Sequence, residues 1–352
     1  VSGRATRPKS AESEHEPAAI RWGILGCGDV TERKSGPAFQ KAHGSRLVAV
    51  MRRSPGLARD YAERHGVSRW YDDADALISD PEVDAVYVAT PPQSHADLAL
   101  RCARARKPCY VEKPMARTVA ECQSMIDAFD AAQTPLFVAY YRRALPRFLA
   151  ARRILQNGEI GAIRCVAVAL QRTLTAAERD PRTWPWRVRP EIAGGGHFVD
   201  LACHTLDFLD FALGPIAKVS GIGSRQAALY PAEDAVAMVF QFASGILGVG
   251  RFSFAAGNVA DEIVVTGSEG ELRFATFADE PIRVRSASGD WREEAIAHPA
   301  HIQQPLIQEI VDELRGVGPP APSTGRTAIR TTWVMDQVLS READERESPW
   351  PG

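Results

Sequence analysis

Between Ile20 and Tyr140, short apolar runs alternate with stretches of helical periodicity, and this alternation restricts the fold more than any other feature. Ile20–Leu25, Arg46–Met51, Asp84–Thr90, Pro108–Glu112 and Pro135–Tyr140 read as strands. Helices are expected over Ala58–His65, closed by Gly66, over about His95–Ala105, and over Val119–Ala132. Strands spaced by helices of this length run parallel and connect by right-handed crossovers, with helices on both faces.

The pattern changes after a helix at Pro146–Gln156. Strands then follow with short connections: Ile163–Arg172, Ile216–Gly223, Ala235–Phe242, Ile246–Phe254, Glu262–Thr266, Glu271–Phe274 and Ile282–Arg285. Tight turns such as Ala243-Ser244-Gly245 predict a largely antiparallel sheet. A helix at about His197–Leu213 interrupts it, and two more, near Ile302–Arg315 and Thr327–Leu339, follow it. The fold class is therefore α/β: a parallel-sheet domain over 19–141, then an α+β domain with an open, mostly antiparallel sheet over 142–345. Residues 1–18 are polar and patternless and read as a disordered tail. A chain of 352 residues is long for one core, which agrees with two domains.

Composition narrows the function. A formal net charge of −2 gives no electrostatic case for nucleic acid or an anionic membrane. No apolar run has the roughly 18 residues of a membrane span. The six cysteines are scattered without a C-x-x-C pair, which favours reduced thiols in a cytoplasmic protein over a zinc ribbon or a disulfide framework.

Three segments carry chemistry. Gly26-Cys27-Gly28-Asp29-Val30-Thr31 follows the first strand, where a tight turn lets the backbone approach a pyrophosphate. Thr31 stands at the third glycine position, so looser helix packing is expected there, and Gly36-Pro37 should interrupt the helix. A plain turn is the alternative for a lone G-x-G, but the βαβ context favours a dinucleotide. The second strand ends in Met51-Arg52-Arg53-Ser54, without the acid that reads a ribose 2′-hydroxyl. Two guanidiniums and a hydroxyl suit a 2′-phosphate, which points to NADP(H) in preference to NAD(H). The alternative is two solvated surface charges.

Glu112-Lys113-Pro114 ends another strand, at the sheet edge where ligands of open α/β sheets lie. A lysine there can stabilise charge on a reacting oxygen, though a loop ion pair with Glu112 is an ordinary alternative. In Gly194-Gly195-Gly196-His197-Phe198-Val199-Asp200-Leu201-Ala202-Cys203-His204, helical spacing puts Asp200 and His204 one turn apart. His204 can exchange a proton with an alcohol, and Asp200 is expected to orient the imidazole. A satisfied structural histidine is the alternative. His197, Asp200 and His204 share a face, but no metal is expected, because hydride transfer beside a lysine needs none.

Together these motifs resemble the glucose–fructose oxidoreductase/inositol dehydrogenase/MocA (Gfo/Idh/MocA) family, over about Ile20 to Leu339. The resemblance implies an NAD(P)-dependent oxidoreductase acting on a hydroxyl or ketone of a sugar, anhydrosugar or cyclitol. It implies catalytic roles for Lys113, Asp200 and His204, with Glu112 and Lys113 also beside the cofactor. Ala89-Thr90-Pro91-Pro92-Gln93-Ser94-His95 is similar to the family's cofactor loop, with Pro92 for its Asn, so Thr90, Pro91 and His95 are expected cofactor contacts. Tyr141-Arg142-Arg143 is similar to a junction motif, which puts Tyr141 and Arg143 at the substrate. Trp186-Arg187-Val188-Arg189-Pro190-Glu191 resembles the NADP-dependent anhydrofructose reductase branch, and Trp186 and Arg187 are expected to line the substrate pocket, with core packing and a surface ion pair as alternatives. The resemblance also implies a homo-oligomer, dimer or tetramer, formed through the C-terminal sheet. A sensor that binds without turnover, and a hydrolase or lyase with permanently held nicotinamide, are the competing functions.

Overall fold

The computed structural model describes residues 17–339; the expected tail over 1–16 and the end of the second domain over 340–345 lie outside the described residues. The first sheet contains β1 (Ile20–Leu25), β2 (Ser45–Met51), β3 (Arg69–Tyr71), β4 (Ala85–Val88), β5 (Cys109–Val111) and β6 (Leu136–Val138). Their order is β3-β2-β1-β4-β5-β6, and every neighbouring pair is parallel. The chain therefore reverses its direction of travel beside β1, the switch point where such sheets open a crevice at their carboxyl ends. β4 and β5 are buried along their length, as strands covered on both faces must be. β3 is absent from the sequence reading because Arg69-Trp70-Tyr71 is short and mostly exposed, with no apolar run to mark it.

The second sheet contains β7 (Ile163–Gln171), β8 (Ile216–Ser224), β9 (Ala235–Phe242), β10 (Leu247–Ser253), β11 (Ala260–Gly267), β12 (Glu271–Phe274), β13 (Ile282–Arg285) and β14 (Trp291–Glu294). Its order is β14-β13-β12-β11-β7-β10-β9-β8, antiparallel throughout except for the β7–β10 pair. Alternation along the strands buries one face. Val166, Val168, Met238, Phe240, Phe252, Ile263 and Val265 point to the core, where Leu206, Phe208 and Leu209 of the 203–213 helix are also buried. The opposite face exposes Ile222, Val239, Leu247 and Val249. Val239 and Val249 lie directly opposite one another in the β9–β10 ladder, so the apolar surface is continuous across those strands.

The two sheets are not joined by one hinge. Residues from about 302 onward return to the first domain: Phe137 bridges Thr324, and Ser323 donates to the Val138 carbonyl. At the seam, Arg143 is 2% exposed and lies between Asp207 and Asp210, with Arg330 on the far side of Asp210. Its Nη2 is 2.8 Å from Asp207 Oδ1 and 3.3 Å from Asp210 Oδ1. Burial raises the Asp207 carboxyl to about 6 even beside this guanidinium.

Removing Arg143 would leave two buried carboxylates with half their compensation. Breaking a buried pair from one side typically costs about 3–5 kcal/mol. Arg143→Ala should therefore lower unfolding free energy by that order in urea titrations; a loss below about 1 kcal/mol, the scale of exposed pairs, would contradict a structural role.

Candidate active site

Leu25 ends β1, and the chain turns at Gly26, where φ is +92°. A side chain there would meet Thr90 Cγ2 at 2.7 Å, so the first glycine is required both by conformation and by the neighbouring loop. Gly28 is open: the nearest atom to a Cβ there is 3.9 Å away. Thr31, at the third glycine position, closes the turn itself. It is fully buried, and its hydroxyl accepts from the Gly28 N–H and donates to the Gly28 carbonyl. The following helix is broken as expected, into Asp29–Arg33 and Gly36–Lys41. Asp29 is exposed and Val30 half-buried at the start of the first piece.

Arg52, Arg53 and Ser54 are all exposed beyond the end of β2. Arg52 Nη1 lies 3.3 Å from the Cys27 carbonyl, which brings its guanidinium to the Gly26–Gly28 turn. On the other side of that turn, Thr90 is half-buried, and its Oγ1 is buried without a hydrogen-bond partner. An uncovered backbone turn, an orphaned hydroxyl and a cationic strand end together fit a dinucleotide. Pro91 is half-buried beside them.

Two expected cofactor contacts are corrected. His95 is fully buried, with its ring nitrogens 2.7 Å from the Thr90 carbonyl and 3.0 Å from the Pro114 carbonyl. It ties the Thr90 loop to the lysine loop and has no surface to offer a ligand. The Glu112 carboxylate also faces inward: Oε1 accepts from Tyr87 at 2.5 Å and from Gln303 Nε2 at 2.6 Å, and Oε2 accepts from the Lys113 N–H. Glu112 fixes the backbone that carries Lys113, and it is not the ion-pair partner of that lysine.

That partner is Asp200. Lys113 Nζ donates to Asp200 Oδ1 at 2.7 Å and to the Asp200 carbonyl at 2.8 Å. The approach of the two domains is tight here, since Gly194 sits at φ +82° and a Cβ on it would lie 2.8 Å from Arg117 Cα. Burial opposes the lysine's charge, but Asp200 and other negative neighbours prevail and hold Lys113 above its ordinary range. Burial likewise opposes the Asp200 charge, and Lys113 and Arg187 overcome it, so Asp200 stays ionised.

This pairing corrects the expectation that Asp200 orients His204. Phe198–Ala202 forms a π-helical turn before the α-helix Cys203–Leu213, so the simple one-turn spacing does not hold. The carboxylate goes to the two fixed cations. His204 is buried among the rings of Tyr140, Tyr141 and Phe277, at centroid distances of 6.3, 5.2 and 5.8 Å. Its Nδ1 is buried without a partner, and neither ring nitrogen hydrogen-bonds another described residue. Burial, then the charges of Arg142, Lys113 and Lys34, push the imidazole well below its ordinary 6.5. His204 is therefore neutral at pH 7.

Trp186 and Arg187 do reach this centre. Arg187 Nε is 3.2 Å from Asp200 Oδ2, and its guanidinium lies 4.5 Å over the Trp186 ring. Their segment rests on a small separate core of Val188, Tyr230 and Ala232. It is also tethered by Glu178, which pairs with Arg172 at 2.9 Å and with His197 at 2.7 Å. The His197 ring nitrogens are thus taken up by Glu178 and Arg172, and among the described residues no three His, Cys, Asp or Glu groups converge as metal ligands. Tyr141 joins the site through its ring, but Arg143 does not: its guanidinium is consumed at the seam by Asp207 and Asp210, which corrects its assignment to substrate.

Sequence reasoning missed Arg142, Lys34, Tyr140 and Phe277. Arg142 is the middle residue of Tyr141-Arg142-Arg143, next to Arg143. Its Nε and Nη2 donate to the Thr276 carbonyl and its guanidinium lies 4.6 Å over the Phe277 ring, contacts made across more than a hundred residues. No spacing in the chain announces Lys34 or Phe277.

Known proteins match this architecture along most of the chain. Over 317 residues, 90% of this chain and 97% of the relative, it is 37% identical to an oxidoreductase named P35 from Formosa agariphila. It is 27% identical to a 1,5-anhydro-D-fructose reductase from Ensifer adhaerens, over 88% of this chain and 92% of that protein. An oxidoreductase domain protein from Kribbella flavida superposes with a TM-score of 0.85 at 25% identity, covering 95% of this chain and all of that one. Residues 20–140 match the family model described as oxidoreductase family, NAD-binding Rossmann fold, and residues 148–273 match the GFO/IDH/MocA C-terminal domain. The chain belongs to the Gfo/Idh/MocA family of oxidoreductases.

Proposed function

We propose that the protein transfers hydride between NADP(H) and a hydroxyl or ketone carbon of a sugar-like substrate, with Lys113 and His204 acting on the oxygen. The observation that carries this reading is the division of charge at the site: a lysine held cationic by Asp200 beside a histidine kept neutral by burial. Bound nicotinamide supplies the hydride acceptor in oxidation and the donor in reduction. In oxidation, neutral His204 accepts the hydroxyl proton as hydride leaves the same carbon. Lys113 donates a hydrogen bond to that oxygen and stabilises its developing negative charge. Lys113 is no base here, since the Asp200 carboxylate keeps it protonated. In reduction the proton returns from His204 to the oxygen. Asp200 keeps Lys113 charged and in place, and is a positioning residue.

The cofactor reading rests on Arg52, Arg53 and Ser54 at the end of β2, with Arg52 beside the glycine turn and no carboxylate in that segment. The exposed apolar face of the second sheet supports self-association through β8, β9 and β10. Relatives named for anhydrofructose reductase and inositol dehydrogenase support a polyol or ketose as the substrate class.

Four expectations test the parts. His204→Ala should lower kcat by roughly 10²–10⁴, the usual worth of general acid–base catalysis, while NADPH binding persists. In the wild type, kcat/KM for oxidation should be level above pH 7 and fall as pH drops through an apparent pKa below 6.5, because the base is lost on protonation; wild-type turnover in His204→Ala would end the proposal.

Asp200→Asn leaves Lys113 buried without its carboxylate, so its pKa should drop and activity should fall on the alkaline side where the wild type holds. A variant with an unchanged alkaline limb in its pH–rate profile would remove Asp200 from this role.

Arg52→Asp should weaken NADP(H) far more than NAD(H), read by fluorescence titration of each cofactor. Equal wild-type affinity for the two would contradict the assignment.

Val239→Glu with Val249→Glu places like charges opposite each other on the exposed sheet face. Sedimentation should shift to a smaller species; a wild type already monomeric at working concentration would contradict self-association.

A further inference from the structure

We propose that the substrate carries an anionic group, a carboxylate or a sulfate or phosphate ester, and that Arg187 is the residue that recognises it. This rests on the reading of Lys113 and His204 given above and names the substrate class for the same site.

The case begins with charge. Asp200 is the carboxylate at the reacting centre, and Lys113 neutralises it at 2.7 Å. Glu112 lies behind, its carboxylate satisfied by Tyr87 and Gln303. Arg187, Lys34 and Arg142 are therefore in excess. Arg142 is buried, with two nitrogens on the Thr276 carbonyl. Arg187 and Lys34 are exposed, and Lys34 has no ion pair among the described residues. Lys34 is nonetheless close enough for its charge to bear on His204. Cofactor phosphates would answer positive charge near the glycine turn, but a neutral sugar would leave the exposed Arg187 with no anionic partner beyond Asp200, whereas an anion would be drawn to it.

Geometry then singles out Arg187. Its side chain is 45% exposed, yet it is not loose: Nε is held at Asp200 and the guanidinium plane is stacked on Trp186. Nη1 and Nη2 make no hydrogen bond among the described residues. A guanidinium fixed by its inner edge and open at its outer nitrogens is prepared for a two-oxygen acceptor. Simple neutralisation of Asp200 does not account for it, because Lys113 already does that at shorter range. The small core of Val188, Tyr230 and Ala232 and the Glu178 tether hold the segment that presents Arg187 and Trp186.

The test uses the full chain and matched probes: glucose as the neutral parent, gluconate and glucuronate as carboxylates, glucose 6-phosphate and glucose 6-sulfate as esters. Turnover with NADP⁺ is read by nicotinamide absorbance, and binding of each probe to the NADP⁺-loaded protein by calorimetry. A charge-assisted pair supports a preference of about 10-fold or more in kcat/KM or Kd for one anionic set over the parent. That preference should weaken with added salt and vanish in Arg187→Gln. Lys34→Gln should reduce it in part. NADPH binding by each variant certifies that it is folded. Glucose equal to or better than both anionic sets would overturn the proposal, as would an undiminished preference in folded Arg187→Gln. If anions bind in an Arg187-dependent way but no probe is turned over, the anion site stands and the hydride-transfer reading fails. Turnover of neutral glucose without anion preference is the reverse outcome.

Discussion

The buried contact between Lys113 and Asp200 joins the two halves of the molecule, and the site exists only where they meet. Lys113 ends a strand of the parallel sheet, and Asp200 belongs to the helical turn that opens the second domain's central helix. Taking both groups out of water is costly, and a direct bond at 2.7 Å with an added bond to the Asp200 carbonyl is what offsets it. A drift of the domains would leave the buried Lys113 cation without its carboxylate and Asp200 with Arg187 alone. The same contact that joins the domains keeps the lysine cationic, so the assembly and the charge state of Lys113 depend on one pair.

Other polar groups at the seam serve that pair. Glu112 accepts the Lys113 N–H and binds Gln303, which also accepts from Tyr110 at 3.0 Å. Residues near 303 come late in the chain, so the lysine's backbone is set from both domains. His95 braces the Pro114 carbonyl from the cofactor loop. Arg143, with Asp207 and Asp210, pins the start of the second domain to its central helix. None of these groups offers surface to a ligand, and each would be expensive to leave unpaired.

This explains which parts were legible in the sequence. Helix limits at Val119–Ala132 and Pro146–Gln156 follow from caps and periodicity, which are local. The Gly26–Gly28 turn and Lys113 could be placed because motif and strand end coincide, and His204 because the glycine run and helical periodicity mark its helix. Motif membership alone, however, does not separate a residue that touches ligand from one that holds the frame. Glu112, His95 and Arg143 sit among functional neighbours, and only their partners, 5 to 191 residues away, reveal their roles. Asp200 was found but its partner was not: helical spacing pointed to His204, while the strongest nearby cation came from the other domain. The short exposed strands β3 and β14 carry no apolar signature, so they were not seen.

The loop that carries Trp186 and Arg187 stands apart from this frame. Its hydrophobic cluster of Val188, Tyr230 and Ala232 is separate from the main core. Its tether through Glu178 ends on Arg172 and His197, not on Lys113 or His204. Among the described residues its ion pair to the reacting centre is the Arg187 contact with Asp200, longer than that of Lys113 and partly exposed. A contact of that kind adds little to stability, but it holds the inner edge of the guanidinium while leaving its outer nitrogens open. The loop's packing is therefore largely independent of the frame that holds Lys113 and His204. Under the reading proposed above, that separation would let residues between Arg172 and Glu191 tune the charge and shape of the bound substrate while Lys113 and His204 stay in the frame.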